Sequence, residues 1–355
     1  MAKTWATKCC SGTYKNNYQL CCGIKVYMEV IFIVFILLSF YTFISFRKDK
    51  ITNLSLEKSI NLKGLFALMV IITHMGMAAE LHLGQTATIA CSNFFFLSGY
   101  GLYAGYQNKK ENYLIGFFRK RFIKLLIPWI TSIIIYQAFL YFYYGKCYFL
   151  KITSFEALNE KALLAFDWFL IDLSIFYIIF YVSVKWFKNI LSIIACFTLI
   201  FIVSKFQQKV CCYENNAWWF FSNFGFVTGM ATSYFSKQIK EVMLSYGKQI
   251  TFIVFLFFLS TAFIYSKVWW YYLSIMPFFV YILSLNSNKW HNKILQYFGK
   301  ISYEFYTIQM VAIMTCRIFL EPNTWTYWGC TILILTLFAS ILHYADNKIY
   351  EVIKQ

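Results

Sequence analysis

An all-α integral membrane bundle is the fold class this sequence predicts, on three observations. Of its 355 residues, 60% are apolar and only 13% are charged, whereas a soluble domain carries about 25% charged residues. Apolar runs of about 17–21 residues recur from residue 27 to residue 344, each long enough as a helix to cross a hydrocarbon core of about 30 Å. Runs such as Val30–Phe46 and Phe166–Val184 are almost continuously apolar instead of alternating, which excludes the strands of a transmembrane barrel. A soluble enzyme with a single anchor is excluded with it.

In chain order the apolar runs predict about eleven transmembrane helices, near 27–46, 64–81, 87–106, 122–144, 166–184, 190–204, 218–236, 250–266, 268–286, 300–319 and 324–344. The first, 27–46, is an extra N-terminal helix ahead of a ten-helix core; residues 62–345 read as one membrane domain and 346–355 as a tail. No fixed repeat and no Pro- or Gly-rich linker divides that domain. Residues 1–26 carry Cys9, Cys10, Cys21 and Cys22 without the apolar stretch of a signal peptide. Translation from Met28 is the other reading of this tail. Seven of the eleven cysteines, these four with Cys147, Cys211 and Cys212, fall on the expected outer side, where disulfides persist, and their pairing stays open. No His or Cys follows them at a finger-like spacing, so no metal is expected.

The formal charge of +17 carries an orientation signal. Of 32 Lys and Arg residues, 21 lie in the alternate loops that begin with 47–63, 7 in the opposite loops and 4 in the N-terminal tail. The side rich in positive charge faces the cytoplasm, which puts the C-terminus inside and the N-terminus outside. Basic residues scattered over many short loops suit an anionic leaflet and not a nucleic acid, which needs one basic face. The longest outer loops, about 145–165 and 205–217, are too short to form a catalytic domain. Any chemistry therefore belongs inside the bundle or at its rim.

Three motifs carry that chemistry. Lys63-Gly64 is followed by His74; on a helix, eleven steps leave Lys63 and His74 about 20° apart on one face and about 16 Å apart along the axis. Lys63 is expected at the cytoplasmic edge and His74 near mid-membrane, where an ionisable group faces the bundle interior or a wet cavity and marks function. The alternative is an interhelical hydrogen bond that only packs. His82 and His291, in expected loops, and His343, at the end of the last helix, are weaker candidates. The second motif, Asn93-Phe94-Phe95-Phe96-Leu97-Ser98-Gly99-Tyr100-Gly101 with Gly105, offers small residues for close backbone approach but lacks the preceding strand of a phosphate loop. The third is the run Phe118-Arg119-Lys120-Arg121-Phe122-Ile123-Lys124-Leu125-Leu126-Ile127-Pro128, in which Arg119, Arg121 and Lys124 supply donors suited to phosphates or simply anchor the topology.

In this order and spacing, the three motifs resemble those of acyltransferase family 3 membrane proteins. Trp168-Phe169-Leu170 with Leu173 and Tyr177 is similar to a further segment of that family, and Gly299-Lys300-Ile301-Ser302-Tyr303 with Tyr306 to another. The resemblance spans about 62–345. It departs at Lys63, where the family usually has Arg, and at Gln309 and Asp167, where many members have His. The resemblance implies transfer of an acyl group, most often acetyl, from acyl-CoA on the cytoplasmic side to a hydroxyl of a surface or exported saccharide. It also implies a bacterial plasma-membrane location by analogy.

On that footing His74 is the expected general base or, in a two-step route, the acyl acceptor. Asn93, Ser98 and Tyr303 are candidate oxyanion donors; Asp167, Asp172 and Glu304 are candidates to orient His74. Lys63, Arg119, Arg121 and Lys124 are expected on the CoA phosphates. Trp168 is expected to stack on a sugar, or else to belong to the interfacial aromatic belt. The rival function is a transporter or flippase of a glycan precursor. Such proteins often show repeats or Gly/Pro-broken helices in matching halves, and the chain's prolines are only Pro128, Pro277 and Pro322.

Overall fold

The computed structural model describes residues 34–80, 84–145, 164, 168–210, 217–263, 269–286 and 292–354. Among them the regular structure is helical, with no strand. The elements are α1 (Val34–Ile44), α2 (Leu56–Ala78), α3 (Gly84–Lys109), α4 (Phe117–Tyr144), α5 (Trp168–Trp186), α6 (Asn189–Val210), α7 (Ala217–Asn223), α8 (Gly225–Tyr234), α9 (Ser236–Phe263), α10 (Met276–Leu285), α11 (Lys293–Lys300), α12 (Ser302–Phe319) and α13 (Trp325–Lys354). Short 3-10 turns lie at Lys48–Lys50, Lys110–Tyr113 and Trp269–Ser274.

Six of these helices, α2, α4, α5, α6, α9 and α13, are long and apolar enough to cross a membrane. The count of about eleven long spans is not confirmed among the described residues, and two of the apolar runs are each built from two pieces. The run at 218–236 breaks at Phe224 between α7 and α8. The run at 268–286 is a 3-10 turn followed by α10, whose Pro277 sits in the first turn, where a missing N–H costs no hydrogen bond. The cysteines of the tail, Cys147, Cys211 and Cys212, and also His82, His291 and Asp167, lie outside the described residues.

Close backbone contact sets how the central helices cross. A Cβ built on Gly64 of α2 would lie 2.0 Å from the Leu295 carbonyl oxygen of α11, and one on Gly299 would lie 1.9 Å from the Ile60 oxygen. Only glycine lets these two backbones meet. The same device joins α3 to α8, where Gly99 faces the Phe226 oxygen at 2.0 Å and Gly229 faces the Phe96 oxygen at 2.1 Å. The second sequence motif is thus a helix-crossing surface along much of its length.

Two apolar clusters fill the interior. Phe66, Phe95, Phe176, Phe226 and Tyr281 centre one, among α2, α3, α5, α8 and α10; Ile71, Phe305, Ile308, Ala312 and Leu335 centre the other, among α2, α12 and α13. Phe94 packs against both and sits edge-on to Phe66 and Phe169, with ring centroids 6.0 Å away in each case.

The N-terminal α1 lies antiparallel to α9 along a row of rings. Phe35 stacks on Phe258 at 5.1 Å, Phe40 meets Phe255 at 5.3 Å and Phe43 meets Phe252 at 5.2 Å, each contact drawing on the preference of aromatic pairs for offset or edge geometry. Phe46 then fills the space left by Gly247. Asn286 ties the end of α1 to α10: its Oδ1 accepts from the Arg47 N–H at 3.3 Å and its Nδ2 reaches the Thr42 oxygen at 3.5 Å.

Candidate active site

Helix α2 starts eight residues earlier than hydropathy alone suggests, at Leu56, because Ser55 caps it by accepting the Lys58 N–H at 3.2 Å. Lys63 therefore lies two turns inside the helix, and His74 one turn before its end.

His74 is 7% exposed and faces α12, where its Nδ1 lies 2.9 Å from the Oε1 of Gln309, itself 1% exposed. A carbonyl oxygen only accepts, so Nδ1 carries the hydrogen and the ring's lone pair sits on Nε2. The two segments run in step. Gly64 meets Gly299, and ten residues further along each segment His74 meets Gln309. That equal spacing is the sequence signal that identifies Gln309 as the partner of His74, a role sequence reasoning assigned only to acidic residues.

Of those acidic residues, Asp172 and Glu304 are committed elsewhere. Asp172, 2% exposed, accepts from Trp219 Nε1 and Gln207 Nε2, both at 2.8 Å, so it ties α5 to α6 and α7. Glu304 lies 2.9 Å from His343 Nδ1 on α13. Next to it Thr131 donates to Asp346 at 3.0 Å and Ser132 is 2.7 Å from Thr307. This forms a second polar band between α4, α12 and α13.

The oxyanion candidates also separate. The Tyr303 hydroxyl donates its one hydrogen to the Leu125 oxygen at 2.7 Å and ties α12 to α4, which removes it as a donor to substrate. Asn93 Nδ2 donates back to the Ile89 oxygen at 2.8 Å and keeps a second N–H. Ser98 interacts with the Tyr177 hydroxyl of α5. Trp168, at the start of α5, is half-buried and edge-on to Phe95 at 6.4 Å.

The basic run divides between two surroundings. Arg119 donates to the Ile353 carbonyl at 3.2 Å, near the C-terminal end of α13 where a cation is favoured, and Lys124 lies over the Tyr350 ring at 5.1 Å. Both are exposed and bound to the last helix. Arg121 alone turns inward, half-buried, donating to the Tyr113 hydroxyl at 2.5 Å. Burial pushes the Tyr113 phenol above its ordinary range, and the Arg121 guanidinium pulls it back by less, so Arg121 faces a neutral phenol.

Arg121 is close enough to half-buried Lys63 for the two charges to repel. Among the described residues no carboxylate pairs with either. Two like charges held together without a counter-charge form a receptor for an anion. No group of His, Cys, Asp and Glu able to hold a metal occurs among the described residues.

A helical bundle with spans of membrane length, an inward cation pair at one level of α2 and a held histidine about 16 Å further along the same helix defines a polytopic membrane protein with an interior polar site. A family profile described as an acyltransferase domain, acyltransferase family 3, matches residues 57–345. The chain belongs to that family and is a membrane acyltransferase. No match to it is found among curated proteins or among solved structures.

Proposed function

We propose that the protein transfers an acyl group, most often acetyl, from acyl-CoA to a hydroxyl of a cell-surface or exported saccharide. The observation that carries this reading is the Lys63–Arg121 cation pair, without a carboxylate partner among the described residues, and His74 about 16 Å further along the helix that carries Lys63. A nucleotide phosphate held by the pair leaves a long thin arm lying along α2 toward the imidazole. His74 Nε2 takes the acceptor hydroxyl proton as that oxygen attacks the thioester carbonyl. Collapse of the tetrahedral intermediate breaks the C–S bond, and the leaving thiolate takes the proton back from the imidazolium. The products are the ester and CoA thiol.

In this reading Lys63, Arg121 and the C-terminus belong on the cytoplasmic side of the plasma membrane, where acyl-CoA is found, with the His74 end of α2 toward the acceptor. The excess of Lys and Arg on that side supports it.

The test is the base-labile acyl ester on surface polysaccharide of cells lacking the protein, complemented with wild type or His74→Ala at matched membrane levels. Ester restored by wild type alone is the expected result. Ester unchanged in every strain, with a lipid-linked glycan precursor accumulating on the cytoplasmic side, would overturn it in favour of a flippase.

A further inference from the structure

We infer that Trp129 is a binding residue for the acyl donor: its indole N–H holds the carbonyl oxygen of the amide nearest the sulfur in the pantetheine arm of acyl-CoA. The inference rests on the acyl-transfer reading above, and its own ground is independent of that reading. Trp129 Nε1 is enclosed by the protein and has no hydrogen-bond partner. A buried indole N–H normally has one, and without it the group is unfavourable until an acceptor arrives. Water does not reach this nitrogen, so the acceptor has to be carried in between the helices.

The neighbours of Trp129 along α4 place it on the wall of the site. The Leu125 carbonyl accepts from the Tyr303 hydroxyl of α12 at 2.7 Å, and Phe122 sits edge-on to Tyr177 of α5, with ring centroids 6.4 Å apart. Trp129 follows Leu125 by one helical turn, about 40° round, and Phe122 by two turns, about 20° round in the opposite sense. It therefore stands in the angle between α5 and α12, packed on the larger apolar cluster, where Phe169 of α5 meets Tyr306 of α12 at 5.5 Å. At the foot of that angle Arg121 lies close to Tyr177, and Tyr177 close to Tyr303. The angle thus opens from the anion receptor.

Distances along the helices match the chemistry of the donor. Helices α2 and α4 both run in the sense of α12, since His74 follows Gly64 as Gln309 follows Gly299, and Ser132 follows Leu125 as Thr307 follows Tyr303. Trp129 is about 12 Å beyond Arg121 on α4, and His74 about 16 Å beyond Lys63 on α2. An extended chain advances about 1.1–1.2 Å per bond. From the phosphorus next to pantetheine, the amide carbonyl nearest the sulfur is about nine bonds away, or about 10 Å, and the thioester carbon about fourteen, or about 16 Å. The other amide of the arm, about five bonds or about 6 Å from that phosphorus, falls short of the ring. With its phosphate on Lys63 and Arg121, one extended arm brings an amide to Trp129 as it brings the acyl group to His74. An indole suits the place because it adds a donor without a charge that would compete with the receptor for the phosphate.

Two substitutions test the donor. Trp129→Phe keeps an aromatic ring and loses the N–H; Trp129→His keeps a ring N–H on a smaller ring. Each full-length protein is titrated in detergent with CoA and with ADP, which carries the diphosphate and no arm, and the KM for radiolabelled acetyl-CoA is measured in everted membrane vesicles. The expected result for Trp129→Phe is CoA bound about fivefold to tenfold more weakly than by wild type, the share of one hydrogen bond, KM raised by the same factor, and ADP affinity within about twofold of wild type. Trp129→His is expected to recover part of the loss. CoA affinity unchanged in Trp129→Phe would overturn the inference, as would wild-type protein that binds CoA no more tightly than ADP. Equal losses for CoA and ADP in both variants would overturn it as well, by making Trp129 a packing residue. Wild-type protein that binds neither CoA nor ADP and transfers no label would instead refute the acyl-transfer reading, and this inference with it.

Discussion

Replacing Gly299 by alanine tests whether the contact between α2 and α11 sets the geometry of the site. The added Cβ would stand 1.9 Å from the Ile60 carbonyl oxygen, 2.7 Å from its carbon and 2.8 Å from its Cγ2. Carbon and oxygen without a covalent bond approach to about 3.3 Å, so the two segments must part by about 1.4 Å. The obstacle is the backbone of α2, not the tip of a flexible side chain. Overpacking of this kind costs about 1–3 kcal/mol. Because α2 carries both Lys63 and His74, and a 1 Å misplacement of reacting groups costs about 10²-fold in rate, activity is expected to fall by that factor in protein that still folds. Gly101→Ala is the control, since a Cβ there meets nothing within 4 Å and alanine improves helix propensity by up to about 1 kcal/mol. The assay is thermal unfolding in detergent followed by tryptophan fluorescence, together with the rate of labelled ester formation in vesicles. If Gly299→Ala matches Gly101→Ala in both melting temperature and rate, the argument from close approach is wrong.

The division of the basic run gives a second outcome: Lys63→Ala and Arg121→Ala are each expected to weaken CoA binding about tenfold or more, the loss of one charge-assisted hydrogen bond of about 1.5–3 kcal/mol. Arg119→Ala and Lys124→Ala, whose partners are Ile353 and Tyr350, stay within about twofold in the same equilibrium-binding titration. Asp172→Ala leaves the Trp219 and Gln207 N–H donors unpaired in the interior and is expected to destabilise by about 1–3 kcal/mol, lowering the melting temperature while CoA affinity is unchanged. Glu304→Gln removes the charge opposite His343 and is expected to lower stability with little change in kcat, since neither group contacts His74.

The membrane class of the fold was legible because hydropathy is a property of the chain itself: a run with almost no polar residue has few places to go but a bilayer. The breaks at Phe224 and ahead of Pro277 were not, since an apolar run reads alike whether one helix or two short pieces carry it. The site was legible wherever a motif residue faces inward for its own chemical reason, as with Lys63, Arg121 and His74. It was not legible where the choice depends on which neighbouring helix is nearest. Arg119, Arg121 and Lys124 look equivalent in sequence, and helix rotation alone sends one toward Lys63 and two toward α13. Asp172 and Glu304 were plausible partners for His74 by chemistry, yet the register of α2 against α12 brings an amide there instead. Tyr303 offered a hydroxyl whose hydrogen is spent on a backbone oxygen of α4, a fact only the packing supplies.

The α1 side of the ring row between α1 and α9 lies outside the segment matched by the family, which begins at residue 57. A chain shortened to start at residue 56 would keep every residue of the site and lose the cover over Phe252, Phe255 and Phe258, the filling of Gly247, and both partners of Asn286. What it would expose is an apolar seam with a polar notch at one end. The smallest unit that keeps this packing is thus longer than the segment matched by the family, and a shortened protein is expected to melt at a lower temperature in detergent even where its transferase activity survives.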